Sequence, residues 1–133
     1  YRQVVMEGPR NQEDTYTALL SVLAAPLTPE GGKYQSAASL FWHYTNHPLP
    51  GTSILDQSNP TVGGVMAMDV TITYVIPPLH THGLKPIEIP VKTRTVIFQR
   101  EAYVYQLTFS ADAREYDQHA QAFERLLQSF RFQ

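Results

Sequence analysis

Hydrophobic and polar positions alternate most regularly between Met66 and Ile76. Met66, Met68, Val70, Ile72, Tyr74 and Ile76 are interleaved there with Ala67, Asp69, Thr71, Thr73 and Val75. A period of two belongs to an extended chain whose successive side chains point to opposite faces, so this stretch predicts a strand. β-Branched residues fill Ile87 to Gln99, and Tyr103, Tyr105, Leu107, Phe109 and Ala111 alternate again. The intervening Gln99-Arg100-Glu101-Ala102 leaves room only for a tight antiparallel connection. Near the start, Val4-Val5-Met6, the turn-rich run Glu7 to Asp14 and the resumption from Thr15 to Ala25 predict a β-hairpin with a longer loop.

Two segments carry the helical period instead. Ser36 opens a short helix through Ala37, Leu40, Phe41 and Tyr44, stopped by Pro48. Tyr116, His119, Ala120, Phe123, Leu126, Leu127 and Phe130 recur at i, i+3, i+4, i+7 and predict an amphipathic C-terminal helix. Asp112 with Glu115 three residues on reads as its capping box. Residues 47–64 are rich in proline, glycine, serine and asparagine and are long for a structureless connection; they read as a functional loop or as a segment this pattern does not resolve. The predicted order is ββ-α-βββ-α, an α+β fold in which helices cover an antiparallel sheet. The C-terminal helix is expected to pack Tyr116, Phe123, Leu127 and Phe130 on a sheet face formed by Met68, Val70, Ile72, Tyr105, Leu107 and Phe109.

Composition narrows the classes of function. At 133 residues, one domain spanning 1–133 is expected, and 43% hydrophobic with 17% charged residues is the balance of a globular chain. A net charge of -2 provides no basic footprint for nucleic acid. The absence of cysteine excludes disulfides, thiolate nucleophiles and thiolate metal sites. The longest apolar run, Ala18 to Pro26, is too short to cross a bilayer as a helix. The chain begins at Tyr1, so a targeting segment or lipid anchor, if one exists, lies upstream of it.

The hairpin "VVMEGPRNQEDTYTALLSV", the helix "SAASLFWHY", the stretch "PPLHTHGLKPIEIPVKTRTVIF" and the ending "YVYQLTFSADAREYDQHAQAFERLLQSFRF" together resemble the PsbP-like, or Mog1/PsbP fold, family. That family ends in a strand, a short turn and a helix closing on a Phe-x-x-hydrophobic-x-x-Ser-Phe pattern, represented here by Phe123, Leu126, Leu127, Ser129 and Phe130. The similarity is greatest to its uncharacterised bacterial branch. It implies a non-catalytic accessory or protein-interaction domain of an exported protein, periplasmic or lipid-anchored, with a protein partner and no cofactor.

Chemistry-bearing motifs are sparse. His80 and His82, one residue apart in "PPLHTHGLKP", would point the same way on an extended backbone, and His43 and His47 stand four apart, so the pairs could complete a metal site of neutral imidazoles. "HYTNH" lacks the glutamate of a hydrolytic zinc helix, and Pro48 biases His47 away from helical dihedrals; solvated loop histidines are the competing reading. His119 lies on the apolar stripe of the last helix and reads as a packed, hydrogen-bonded residue. No nucleophile elbow, carboxylate pair or phosphate-binding loop stands out, and the chain is read as non-enzymatic. Trp42 falls off the apolar stripe of the first helix, where it either anchors a partner or is roofed by residues 47–64. A small-molecule or metal-binding protein entered at the histidine loop is the alternative function. Titration with zinc, copper and nickel separates the two: a metal site binds more weakly in the His80→Ala, His82→Ala double variant, whereas equal binding leaves the loop a plain connection.

Overall fold

The computed structural model describes residues 2–28, 34–46, 51–76 and 88–131. In chain order it contains β1 (Arg2–Arg10), β2 (Thr17–Pro26), α1 (Ala37–Asn46), β3 (Ser53–Ser58), β4 (Thr61–Val62), β5 (Val65–Met66), β6 (Met68–Ile76), β7 (Ile89–Arg100), β8 (Tyr103–Asp112) and α2 (Tyr116–Ser129). Six strands form one sheet in the order β1-β2-β8-β7-β6-β3, and every neighbouring pair is antiparallel. β4 and β5 make a separate two-stranded hairpin. The last two long strands thus lie in the middle, and Val96, Ile97, Phe98, Val104 and Leu107 are fully buried there.

The predicted order ββ-α-βββ-α needs one correction: residues 47–64, read as a loop, contain edge strand β3 and half of the β4–β5 hairpin. The reason is local. β3 is exposed along its whole length, so neither face demands apolar residues, and an irregularity between Ile54 and Asp56 breaks the period of two.

Strand parity divides the core. Leu107 faces Val96 across β8 and β7, Leu20 faces Phe109 across β2 and β8, and these residues join Phe98, Tyr116, Phe123 and Leu127 beneath α2. Val104, Ile97, Ala25 and Met68 point the other way, beneath α1, with Ala37 and Leu40. A helix therefore covers each face. Tyr105, Leu107 and Phe109 pack under α2 as expected, but Met68, Val70 and Ile72 do not: Met68 pairs with Ile97, which fixes their parity on the α1 face. Their places under α2 are taken by Val96 and Phe98, because β7 is buried on both faces from Thr95 to Phe98 and carries no alternation there from which parity can be read.

The helix starts also differ from each other. Ser36 caps α1, its Oγ accepting the Ser39 N–H at 3.0 Å. The capping box expected at α2 does not form. Asp112 stays in β8, 2% exposed, accepting from Arg114 Nη2 at 2.6 Å, the Arg114 N–H at 2.9 Å and Asn11 Nδ2 at 2.8 Å. The Arg114 hydrogen bond, foremost, holds its carboxyl well below the usual carboxylate range against the opposing effect of burial. Glu115 is spent on the Gln12 N–H at 3.0 Å. Asn11 closes the β1–β2 loop by accepting the Thr15 and Tyr16 N–H groups at 2.7 and 3.0 Å, so one buried pair ties that loop to the root of α2.

Phe123 is the central contact of α2, 2% exposed, with its ring stacked on Phe109 at a centroid distance of 5.7 Å. Phe123→Ala is expected to destabilise the fold by about 3 to 5 kcal/mol, the range for emptying a large aromatic site, as read by denaturant unfolding. A loss well below 1 kcal/mol would mean that α2 is not docked on β8.

Candidate functional site

A six-stranded sheet is roughly 24 Å wide at about 4.8 Å per strand spacing, and a helix with its side chains covers about 10 Å. α2 lies over β7 and β8, and the β4–β5 hairpin adds Val62 and Val65 to the same core, so this face stays open along β1 on one flank and only in part on the β6–β3 flank. The two flanks differ in chemistry.

On the β1–β2 flank the surface is apolar. β1 is exposed at every position, and Val4, Val5 and Met6 are 59%, 53% and 46% accessible. Between this strand and α2 is a crevice of about 230 Å³ lined by Met6, Gly8, Leu20, Phe109, His119 and Phe123. Gly8 keeps β1 close to β2, since a Cβ there would meet Ala18 Cβ and its carbonyl oxygen at 3.3 Å. β1 is also a sheet edge: among the described residues no strand pairs with its outer side. Edges are normally guarded by charge, proline or shortness. Here Pro9 guards one end, while the centre of a nine-residue strand is bare aliphatic.

On the β6–β3 flank the surface is charged. Arg94 lies under α2, 5.4 Å from the Phe123 ring centroid, and donates to Asp69 Oδ2 at 2.6 Å and to Glu124. Burial alone would lower the Arg94 pKa, but its hydrogen bonds to Asp69 and Glu124 raise it above the ordinary value. Lys92 Nζ sits 4.5 Å over the Tyr116 ring. The Tyr116 hydroxyl is pushed up to about 12, mainly by burial.

The α1 face carries a row of hydroxyls. Tyr16 OH and Ser110 Oγ are 2.6 Å apart, Thr93 Oγ1 donates to Ser110 Oγ at 3.1 Å, and Thr95 Oγ1 donates to Tyr44 OH at 3.0 Å. Burial raises the pKa of both tyrosines, partly offset by Ser110 and Thr95 respectively. Thr93, Thr95 and Ser110 are buried, and the network satisfies them internally.

Of the residues singled out from the sequence, Trp42 is 55% exposed on the outer side of α1, its ring edge-on to His43 at 5.4 Å. His43 is half-buried beside it. His47, His80 and His82 lie outside the described residues, and among the described residues no three metal-ligating side chains cluster. His119 is half-buried between the apolar crevice and a small polar cleft with Asn11, Asp112 and Glu115; contrary to expectation it makes no side-chain hydrogen bond to another described residue. The sequence reading missed both flanks of α2. The run Val4-Val5-Met6 was the visible signal for the first; Lys92 and Arg94 at alternate positions within β7 were the signal for the second.

This arrangement defines an antiparallel α+β domain with one helix on each face of a six-stranded sheet. PA94 of Pseudomonas aeruginosa, a protein of unknown function described as a candidate regulator, has a similar structure with a TM-score of 0.71 at 12% identity, over 99% of this chain and 83% of that one. LpqN, involved in cell envelope biogenesis in Mycobacterium tuberculosis, aligns over 94% of this chain and 76% of its own at 20% identity, with a TM-score of 0.49. No family model matches the chain, and no curated protein does. Among the described residues no helix is long and apolar enough to span a membrane.

Trp42, the single tryptophan, reports directly on the outer face of α1. Its emission is expected to be red-shifted and readily quenched by an aqueous quencher, and Trp42→Ala to change stability by no more than about 0.5 kcal/mol. A blue-shifted, quencher-resistant spectrum with a large stability loss would place the ring in the core.

Proposed function

We propose that this chain is a non-catalytic protein-interaction domain of the PsbP-like kind, belonging to an exported bacterial protein, and that its partner docks on β1. The observation that carries the reading is the bare aliphatic centre of that edge strand beside an apolar crevice. The occupant is an extended segment of another protein. Its backbone pairs with the outer N–H and C=O groups of β1, and one apolar side chain enters the crevice between Met6 and Phe123. Arg2, at the far end of β1, makes no ion pair with another described residue, so the segment carries a carboxylate there. The export reading rests on the family resemblance of the sequence.

The test is capture of a partner by the wild-type chain and by Val4→Lys, a substitution that places a guarding charge on the edge. Val4 is 59% exposed, so the variant folds with stability changed by about 0.5 kcal/mol or less. A partner that protects the β1 amides from hydrogen exchange and is bound at least about 2 kcal/mol more weakly by the variant supports the reading. A partner held equally by both overturns it. So does a dimer of the chain itself that Val4→Lys dissolves, because the strand edge then belongs to a second copy.

A further inference from the structure

The charged flank of α2 has a feature that the Arg94–Asp69–Glu124 pairing does not use. A crevice of about 320 Å³ opens there, at the small end of the range for small-molecule sites. Arg94 is internally committed, to Asp69 through both carboxylate oxygens and to Glu124. Lys92 is not. Its ammonium lies over Tyr116, and among the described residues no carboxylate comes within ion-pair distance. Lys92 belongs to the first half of β7, where buried and half-exposed residues alternate, and is one of the half-exposed ones.

Across the crevice Asp56 is likewise without an ion pair among the described residues. The register sets the spacing: Asp56 lies opposite Thr71 on β6, Thr71 opposite Arg94, and Thr73 opposite Lys92. A lone cation and a lone anion thus stand two strands apart, about 10 Å across the sheet at the backbone. Their side chains enter one crevice with Thr71 between them, while Ser58, opposite Asp69, lines its far end beyond Asp56. A simple anion would be repelled by Asp56, and a simple cation by Lys92; a molecule carrying both charges is attracted by both.

We infer that this flank is a site for a small zwitterion of dipeptide size. Its carboxylate meets Lys92 beside the Tyr116 ring, its ammonium meets Asp56, and its amide lies along the Thr71 hydroxyl. This site is on the opposite side of α2 from β1, and its success or failure is independent of the partner reading.

Amide chemical-shift titration of the folded chain with alanyl-alanine is the direct test. N-acetylalanine, which lacks the ammonium, and alaninamide, which lacks the carboxylate, serve as controls. The expected result is a saturable shift at Thr71, Lys92 and Tyr116 with the dipeptide, weakened about tenfold for each control, the weight of one charge-assisted hydrogen bond. Lys92→Met and Asp56→Asn are each expected to weaken dipeptide binding about tenfold, with the melting temperature and the remaining amide spectrum unchanged. No saturable shift up to about 10 mM overturns the proposal. N-acetylalanine binding as tightly as the dipeptide overturns it in favour of a plain anion site, and unaltered binding by both variants places the dipeptide elsewhere.

Discussion

The seating of α2 on β8 is the contact on which the open surfaces depend. Phe123 stacks on Phe109, and Phe130 meets Phe98 and Tyr105 edge-on at centroid distances of 5.3 and 6.4 Å. Aromatic pairs in these geometries contribute about 0.5 to 1.5 kcal/mol each beyond the area they bury. Their placement matters more than their sum. One helix masks about two strands, so the position of these rings decides which strands are left bare. Centring α2 on β7 and β8 leaves β1 open on one side, with β2 half-buried beside it, and on the other the part of β6 and β3 that the β4–β5 hairpin does not cover. Moving it by one strand would bury one flank and widen the other.

Much of this architecture was legible in the chain. The period of 3.6 from Tyr116 to Phe130 predicted α2 and its buried Phe123 and Leu127, and alternation predicted β6 and β8 with Tyr105, Leu107 and Phe109 turned toward the helix. Legibility failed where burial did not alternate. β7 is buried on both faces from Thr95 to Phe98, so Val96, Ile97 and Phe98 show no parity, and Met68, Val70 and Ile72 on β6 were assigned to the wrong face. β3 failed for the opposite reason: with both faces exposed, its composition is that of a loop. Asp112 was misassigned because an acidic residue before a helix reads as a cap, whereas its real partners are Asn11, far away in sequence, and Arg114.

The candidate sites were less legible than the fold. Trp42 was placed correctly on the flank of α1, since a helical wheel needs only the local period. The β1 surface needed sheet order, because Val4-Val5-Met6 reads alike in a central and an edge strand, and only the order β1-β2-β8 makes it an edge. The Lys92–Asp56 crevice required the register of three strands at once. Neither residue is unusual alone.

That the final strand lies at the centre of the sheet has a consequence for the order of folding. β2 finds its inner neighbour only in β8, and the Asn11–Asp112 hydrogen bond joins residues 101 positions apart. An isolated two-stranded hairpin is marginally stable at best in water, so β1 and β2 gain little by forming early. The sheet closes only after Tyr103 to Asp112 is available to slot between β2 and β7. Such long-range pairing slows folding, and β2, with Val4 to Met6 of β1 beside it, has no inner neighbour until Tyr103 to Asp112 has been made.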